Sequence, residues 1–287
     1  MTSCIDFHTH SIASDGQLSP AQLVRRASEK GVRFLALTDH DTTHGVEEAA
    51  ITAKQVGVHL VPGIELSVTW NDQNFHMVGL GIDPLHPVLA SGIRDQQELR
   101  MSRAREIGQR LNKKRIGGAF EGAALLAGDG MITRTHFARY LVDQNRAATI
   151  QKAFDQFLKR GKPGYVPTQW TPIETGIKWI TAAGGIAVLA HPQRYKISAT
   201  RLKRLLTDFS NAGGQAIEVV CGNSSNDDVS KFSRHALEFG LLGSMGSDFH
   251  SPENPWIELG RLRPFPDEVS PVWGELGIVS NPLSPTH

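Results

Sequence analysis

Short apolar runs that end in polar residues recur over residues 4–7, 34–38, 58–66 and 75–80, and again over 186–190, 216–220 and 241–247. They are of strand length, and helical patterns separate most of them, which predicts a parallel sheet or barrel covered by helices. Ser19-Pro20 opens one such helix, with proline at the first helical position and Gly31 past the end. Thr171-Pro172-Ile173-Glu174 reads as a capping box ahead of Ile177, Ile180 and a Gly184-Gly185 stop. "GVEEAAITAKQVG" and "TRLKRLLTDFSNAGG" complete the expected helical set. Between the third and fourth runs, "SVTWNDQNFHMV" is too short for a crossover helix and has a polar centre, so an antiparallel hairpin is expected there.

The stretch from 93 to 165 has a different character. "IRDQQELRMSRAREIGQRLNKKR" is strongly basic, with Leu99, Ile107 and Leu111 near helical spacing, and "THFARYLV" and "IQKAFDQFLKRG" follow as amphipathic pieces. The expected α/β organisation is a barrel interrupted by helices: residues 1–92 form its first half, 93–165 a helical insertion, and 166–287 its second half. A basic run of this kind is ordinarily a solvated face. At 287 residues, with 40% hydrophobic content and a mean hydropathy of -0.24, the chain can bury a sizeable core. Lys+Arg 30 against Asp+Glu 29 leaves a net charge of +1, so no global field recruits nucleic acid or membrane, and phosphate affinity must be local. Cys4 and Cys221 lack metal-site spacing and are expected as buried, reduced thiols. With no signal-peptide pattern and no apolar run of membrane-spanning length, the expected location is the cytoplasm, without a membrane partner or an obligate protein partner.

The polar ends of the apolar runs carry the candidate chemistry. Side chains alternate along a strand, so Asp6, His8 and His10 of "CIDFHTHSIASDG" share a face, and Asp15 follows in the loop. The second run ends in Asp39-His40-Asp41 and the third at Glu65, while the fourth carries His76. The later runs bring His191 in "AHP", Glu218, and Asp248 and His250 in "SDFH". In α/β barrels the C-terminal strand ends converge on one mouth. Imidazoles and acids gathered there would be costly to desolvate without cations. A mixed imidazole and carboxylate set without thiolate suits Mn, Fe or Zn.

The ordered blocks "DFHTH", "TDHD", "AHP" and "SDFH", with "PGIE" and "FHMVGL" between them, resemble the polymerase-and-histidinol-phosphatase (PHP) family over roughly 1–90 and 165–260. The resemblance implies a distorted (β/α)7 barrel with a trinuclear metal centre. One ion would be held by His8, His10, Glu65 and Asp248. A second would be held by Glu65, His76 and His191, with Glu65 bridging, and a third by Asp15, His40 and His250. Mn2+ is the first expectation, with Fe2+ or Zn2+ as alternatives. Asp6, Asp39 and Glu218 would orient the imidazoles, and Asp41 could as well cap the next helix. His44, His59, His86, His235 and His287 fit no block.

Closely spaced divalent cations activate water near neutral pH and neutralise phosphoryl oxygens. The expected reaction is therefore attack of a metal-bridging hydroxide on phosphorus, with His40, His191 and Glu65 as catalytic candidates. His40, His191 and a metal-bound water stay open as the general acid. Neither a G-x-S-x-G elbow nor a P-loop nor a G-x-G-x-x-G fingerprint is present, which favours hydrolysis over nucleotide-dependent transfer. Arg194 in "AHPQRYK" and Arg134 in "MITRTHFARYL" offer guanidinium forks that match phosphate. "RTHFARYL" beside a helical insert resembles the PHP branch that hydrolyses nucleoside 3',5'-bisphosphates and trims short RNA from the 5' end. That implies Arg134 and His136 as substrate contacts, with Ser102, Arg103, Arg105 and Arg194 as candidates for a distal phosphate. The expected substrates are adenosine 3',5'-bisphosphate, giving AMP and phosphate, and 5'-phosphorylated short oligoribonucleotides. The competing expectations are a histidinol-phosphate phosphatase, a metal-dependent amidohydrolase and a non-catalytic PHP module.

Overall fold

Strands and helices alternate as the apolar runs predict, in a computed structural model that describes residues 3–278; His287 lies outside them. The first half comprises β1 (Ile5–Asp6), α1 (Pro20–Glu29), β2 (Phe34–Leu37), α2 (Val46–Val56), β3 (His59–Trp70) and β4 (Gln73–Leu80). Four helices follow: α3 (Pro87–Asn112), α4 (Ala119–Ala127), α5 (Arg134–Asp143) and α6 (Ile150–Ala153). The chain then forms β5 (Thr171–Pro172), α7 (Ile173–Ala182), β6 (Ile186–Leu189) and α8 (Ala199–Asn211). It ends with β7 (Ala216–Cys221), α9 (Asn226–Phe239) and β8 (Leu242–Gly246). The strands pair in the order β1-β2-β3-β4-β6-β7-β8, all parallel except β4, which is antiparallel to both neighbours. Phe7 N donates to Met245 O at 3.0 Å and Asp248 N to His8 O at 2.8 Å, so the last strand returns to the first and the barrel is nearly closed.

Local chemistry accounts for the main elements. The expected hairpin joins β3 to β4 through Asn71 and Asp72, whose φ values of 46° and 59° are the left-handed pair that a two-residue turn demands. Ser19 Oγ accepts from Gln22 N at 3.1 Å and Gln22 Oε1 from Ser19 N at 2.9 Å, which starts α1 as expected. α1 buries Leu23, Val24 and Ala27 against β2, α2 and Phe249. Each side chain of leucine size contributes about 1.5–3 kcal/mol when fully buried. The helices after β4 gather a separate apolar cluster around Ile107, Leu111, Phe137, Leu141 and Leu158.

Several elements differ from expectation. Thr171 does not cap α7: it pairs with Val68 in the short β5 flank, and Pro172 holds the cap position without a side-chain bond. Here a backbone pairing displaces the cap. α3 starts at Pro87 rather than near 93, and Leu99 faces solvent while Gln96 and Arg100 are buried. This happens because the inner face of α3 docks on polar groups at the barrel mouth: Arg100 Nε donates to Asp41 Oδ2 at 2.5 Å and Gln96 Nε2 to Ser67 O at 2.5 Å. Asp41 is thereby an anchor for α3 and not a helix cap; Gly45 holds that position on α2. Cys221 is buried but Cys4 only half-buried. α9 is not among the helices expected, although the Ser225/Asp228 capping box and left-handed Gly240 mark its ends. Val229, Phe232, Ala236 and Phe239 pack on the core at helical spacing, so its signal is present in the sequence but short and broken by polar residues. Among the described residues no helix is long and apolar enough to cross a membrane.

Candidate metal centre

Glu65 and Ser67 lie on one face of β3, and the register sets Ser67 opposite His76 on β4. His76 Nδ1 therefore lies 2.9 Å from Glu65 Oε1. His191, just past β6, places Nε2 at 2.9 Å from the same oxygen. The other oxygen, Glu65 Oε2, faces His8 Nε2 at 3.3 Å, His10 Nε2 at 3.2 Å and His40 Nδ1 at 3.0 Å. Asp248 Oδ1 lies 3.3 Å from His8 Nε2 and 3.0 Å from His10 Nε2. Asp15 Oδ1 stands 3.3 Å from His250 Nε2 and 3.8 Å from His40 Nε2. Every ligand expected from the sequence thus enters one cluster. Three sets have potential ligand atoms within 4.8 Å of one another: His8, His10, Glu65 and Asp248; His10, Asp15, His40 and His250; and His40, Glu65 and His76. His10 and His40 each belong to two sets, a sharing the sequence does not suggest.

Several of these atoms have no hydrogen-bond partner and are free to hold a cation. His8 Nε2, His40 Nδ1, Glu65 Oε2 and Asp15 Oδ1 are buried without a hydrogen-bond partner. Orphaned groups of this kind cost about 1–3 kcal/mol each. Burial opposes ionisation of Glu65, yet His40, His8 and His76 hold its carboxyl well below the usual range. Burial likewise opposes charge on Asp248 and Asp15; Arg194 overrides it at the first and His250 at the second. His40 is pulled down to about 4 by burial, and His191 is lowered by the same cause. His10 moves the other way, to about 10, because Asp248 and Glu65 outweigh its burial. The carboxylates that draw an extra proton onto His8 and His10 would draw a divalent cation to the same place, and a metal would be bound there with release of those protons.

A second ring of groups fixes this arrangement. Ionised Glu218 accepts from His8 Nδ1 at 2.6 Å, which leaves Nε2 of His8 aimed at the cluster, and from His191 N at 2.5 Å. Asp39 accepts from Ser11 N at 2.8 Å, Ser11 Oγ at 2.7 Å and Ser14 Oγ at 2.6 Å, holding the loop that presents Asp15. Asp6 turns to backbone amides, Ser247 N at 2.8 Å and Gly260 N at 3.0 Å, and ties β1 to the loop after β8. A Cβ on Gly246 would lie 2.3 Å from that of His8, so only glycine lets β8 approach so closely. His191 and Asp248 carry φ values of 29° and 55°, a backbone strain of the kind that surrounding contacts must sustain at functional sites.

The helices after β4 roof the cluster and enclose a cavity of about 280 Å3. Arg134 and Arg103 line it, as does Arg194, which donates to Asp248 Oδ2. Among the described residues neither Arg134 nor Arg103 has an ion-pair or hydrogen-bond partner. Their guanidiniums rest 5.8 Å from the Phe154 ring and 5.4 Å from the Trp170 ring. Burial, with Arg134 and Arg100 nearby, pulls Arg103 down to about 9. His136 is not in the cavity lining: its Nδ1 accepts from Thr133 N at 3.1 Å as part of the α5 cap. Ser102 and Arg105 lie instead in a separate groove with Arg110, Lys113 and Lys114. Thr133, Thr135 and Arg139 reach the cluster through Asp15, which the sequence does not reveal. Thr135 Oγ1 and Thr133 Oγ1 donate to Asp15 Oδ2 at 2.8 and 3.2 Å, and Arg139 Nη2 to Asp15 O at 3.0 Å. The T-x-x-H spacing before an amphipathic run is a signal for the cap, but nothing in it points to Asp15.

A family model described as PHP domain matches residues 6–164. A protein of Chromobacterium violaceum named 3',5'-nucleoside bisphosphate phosphatase is 45% identical over 95% of this chain and 96% of its own. The 5'-3' exoribonuclease Rnm of Escherichia coli is 46% identical over 93% of this chain and 92% of its own. A solved structure described as an amidohydrolase from Chromobacterium violaceum, with bound sulfate and no metal, is 45% identical and covers 96% of each chain, with a TM-score of 0.92.

Proposed function

Because this chain belongs to the PHP domain family, we propose that it is a metal-dependent phosphatase removing the 3'-phosphate of nucleoside 3',5'-bisphosphates, with adenosine 3',5'-bisphosphate giving AMP and phosphate. By the same chemistry it releases nucleotides from the 5' end of 5'-phosphorylated short oligoribonucleotides, since that bond also begins at a 3' oxygen. It acts in the cytoplasm. The observation that carries this reading is the pair of half-buried guanidiniums, Arg103 and Arg134, without carboxylate partners in the same cavity as the histidine-carboxylate cluster. Such a cavity has places for two anions, one at the cluster and one at the arginines.

The ligands would be His8, His10, Glu65 and Asp248 for one ion, Glu65, His76 and His191 for a second, and Asp15, His40 and His250 for a third, with Mn2+ first among the metals. When bound, such ions supply an activated water and charge neutralisation at the phosphoryl group. The chain's own residues do the rest. Glu218 and Asp39 keep the imidazoles and the Asp15 loop in place. Arg103 and Arg134 hold the second phosphate away from the reacting one, so that binding energy remote from the reaction orients it. Arg194 is bonded to Asp248 and lies at the edge where the reacting phosphate must sit. His40 and His191 face Glu65 in the cluster, and they stay open, with a metal-bound water, as the source of the proton for the leaving oxygen. The segment 93–165 is the recognition insert between the barrel halves, 1–92 and 166–287, with α3 crossing the first boundary.

Histidinol phosphate would bring one phosphate and an ammonium group toward two unpaired guanidiniums, and an amide substrate would leave both without a partner. Purified protein with Mn2+ and a panel of adenosine 3',5'-bisphosphate, a 5'-phosphorylated RNA trimer, histidinol phosphate and an N-acyl amino acid tests the proposal. The bisphosphate and the trimer are expected to turn over; preference for either of the others defeats it, and silence throughout favours a non-catalytic module.

A further inference from the structure

Resting on the exoribonuclease half of that reading, we propose that the loops following β7 and β8 form a platform for the single-stranded RNA that continues beyond the bond being cut. Trp256 is 78% exposed, on the loop that leaves the cluster after Asp248 and His250. With Asn223, Asn254, Arg261 and Arg263 it lines a cleft of about 640 Å3. The wall of the cleft is joined to neighbours of two residues that line the catalytic cavity, Asp248 and Arg194. A Cβ on Gly222, in its wall, would lie 2.2 Å from Ser247 O, next to Asp248. Cys221 Sγ, one residue earlier, donates to Oε1 of Gln193, the neighbour of Arg194, at 3.4 Å.

Direction and charge both point to RNA. The guanidinium pair of Arg103 and Arg134 comes from the insert, which is tied to the loops after β1 and β2 through Asp15 and Asp41. In the ring of strands β7 lies across the barrel from β2, and β8 sits between β7 and β1. A nucleotide with its 5'-phosphate on the arginines and its 3' oxygen at the cluster sends the next nucleotide away from the arginines, and the β7 side of the mouth is the side opposite the Asp41 anchor of the insert. An exposed indole stacks any base, and neighbouring guanidiniums meet the phosphates between bases. The charges of Arg261 and Arg263 are not cancelled: among the described residues they bond only to Pro255 O, Ser224 O and Asn226 Oδ1. Among the nearby acids Glu258 is turned to Arg26 and Lys30, Glu253 to Gln17 and Asp228 to Ser225.

The test compares kcat/KM of the metal-loaded enzyme for adenosine 3',5'-bisphosphate and for a 5'-phosphorylated dinucleotide and hexanucleotide. In Trp256→Ala the hexanucleotide-to-bisphosphate ratio should fall about tenfold, with a smaller fall for the dinucleotide. In Arg261→Ala the hexanucleotide's log KM against log salt should lose about 0.7 of slope per phosphate released. A wild-type enzyme that cuts the hexanucleotide, with a ratio unmoved by Trp256→Ala, overturns the platform and leaves the proposed activity standing. If the wild type hydrolyses the bisphosphate but not the oligomers, the platform and the RNA activity fall together while the phosphatase survives.

Discussion

Replacing Arg134 by alanine should separate recognition from folding. Arg134 is in contact with the Phe154 ring at 5.8 Å, an interaction of about 0.5–1 kcal/mol. Burial and the like charge of Arg100 already disfavour its cationic form, and it also stands against Arg103. Removing it therefore costs little stability, and the melting temperature should stay within about 3 °C of wild type. Loss of a charge-assisted bond to phosphate is worth about 1.5–3 kcal/mol, a roughly 10- to 150-fold drop in kcat/KM for adenosine 3',5'-bisphosphate. Adenosine 3'-monophosphate, which has no second phosphate to place on the arginine, should lose less than about threefold, well under the weakest charge-assisted bond. Steady-state kinetics on both substrates, with a thermal melt of each protein, is sufficient. Equal losses on the two substrates would refute the recognition role, as would a melt lowered in step with activity.

Burial lowers His136 to about 4, so its imidazole is neutral and accepts from Thr133 N. The unfolded chain binds a proton there up to about pH 6.5, so this group's contribution to stability rises from pH 4 to 6.5 and is flat above. His136→Gln keeps an acceptor at that position of the capping box and should remove about 2 kcal/mol of the wild type's loss between pH 7.5 and pH 5, by urea unfolding; an unchanged loss counts against it. Glu218→Gln should weaken metal binding about 10- to 100-fold by calorimetric titration, because His8 loses its orienting carboxylate; unchanged affinity would remove Glu218 from the centre. Gly92→Ala would set a Cβ 2.4 Å from the Trp179 indole and should destabilise by about 1–3 kcal/mol through the α3–α7 contact. A melt like the wild type's would show that α3 shifts freely.

The polar residues at the mouth are legible in the sequence because a period of two and the ends of apolar runs are local facts. The grouping of His8, His10, Glu65 and Asp248 around one ion is instead implied by the PHP resemblance, and Glu65 turns out to lie within β3 and not at its end. Which ligands share an oxygen depends on ring orientations, so the double membership of His10 and His40 is not legible. Arg100 and Asp41 sit 59 positions apart, and no local pattern announces a buried ion pair at that separation. Thr171 shows the opposite failure, since a sound local capping signal loses to a pairing partner about a hundred residues away. His136 reads in the sequence as a substrate contact, yet the same side chain caps a helix, and only its neighbours decide between those uses.

The hydroxyls of Thr133 and Thr135 on Asp15 have an evolutionary consequence. Specificity in barrel enzymes ordinarily diversifies by swapping what hangs over the mouth while the chemistry beneath stays intact. Here the overhang also belongs to the mount for an acidic group below it. A descendant that acquired a new roof would have to rebuild that mount at the same time, which couples changes of diet to changes in cation affinity.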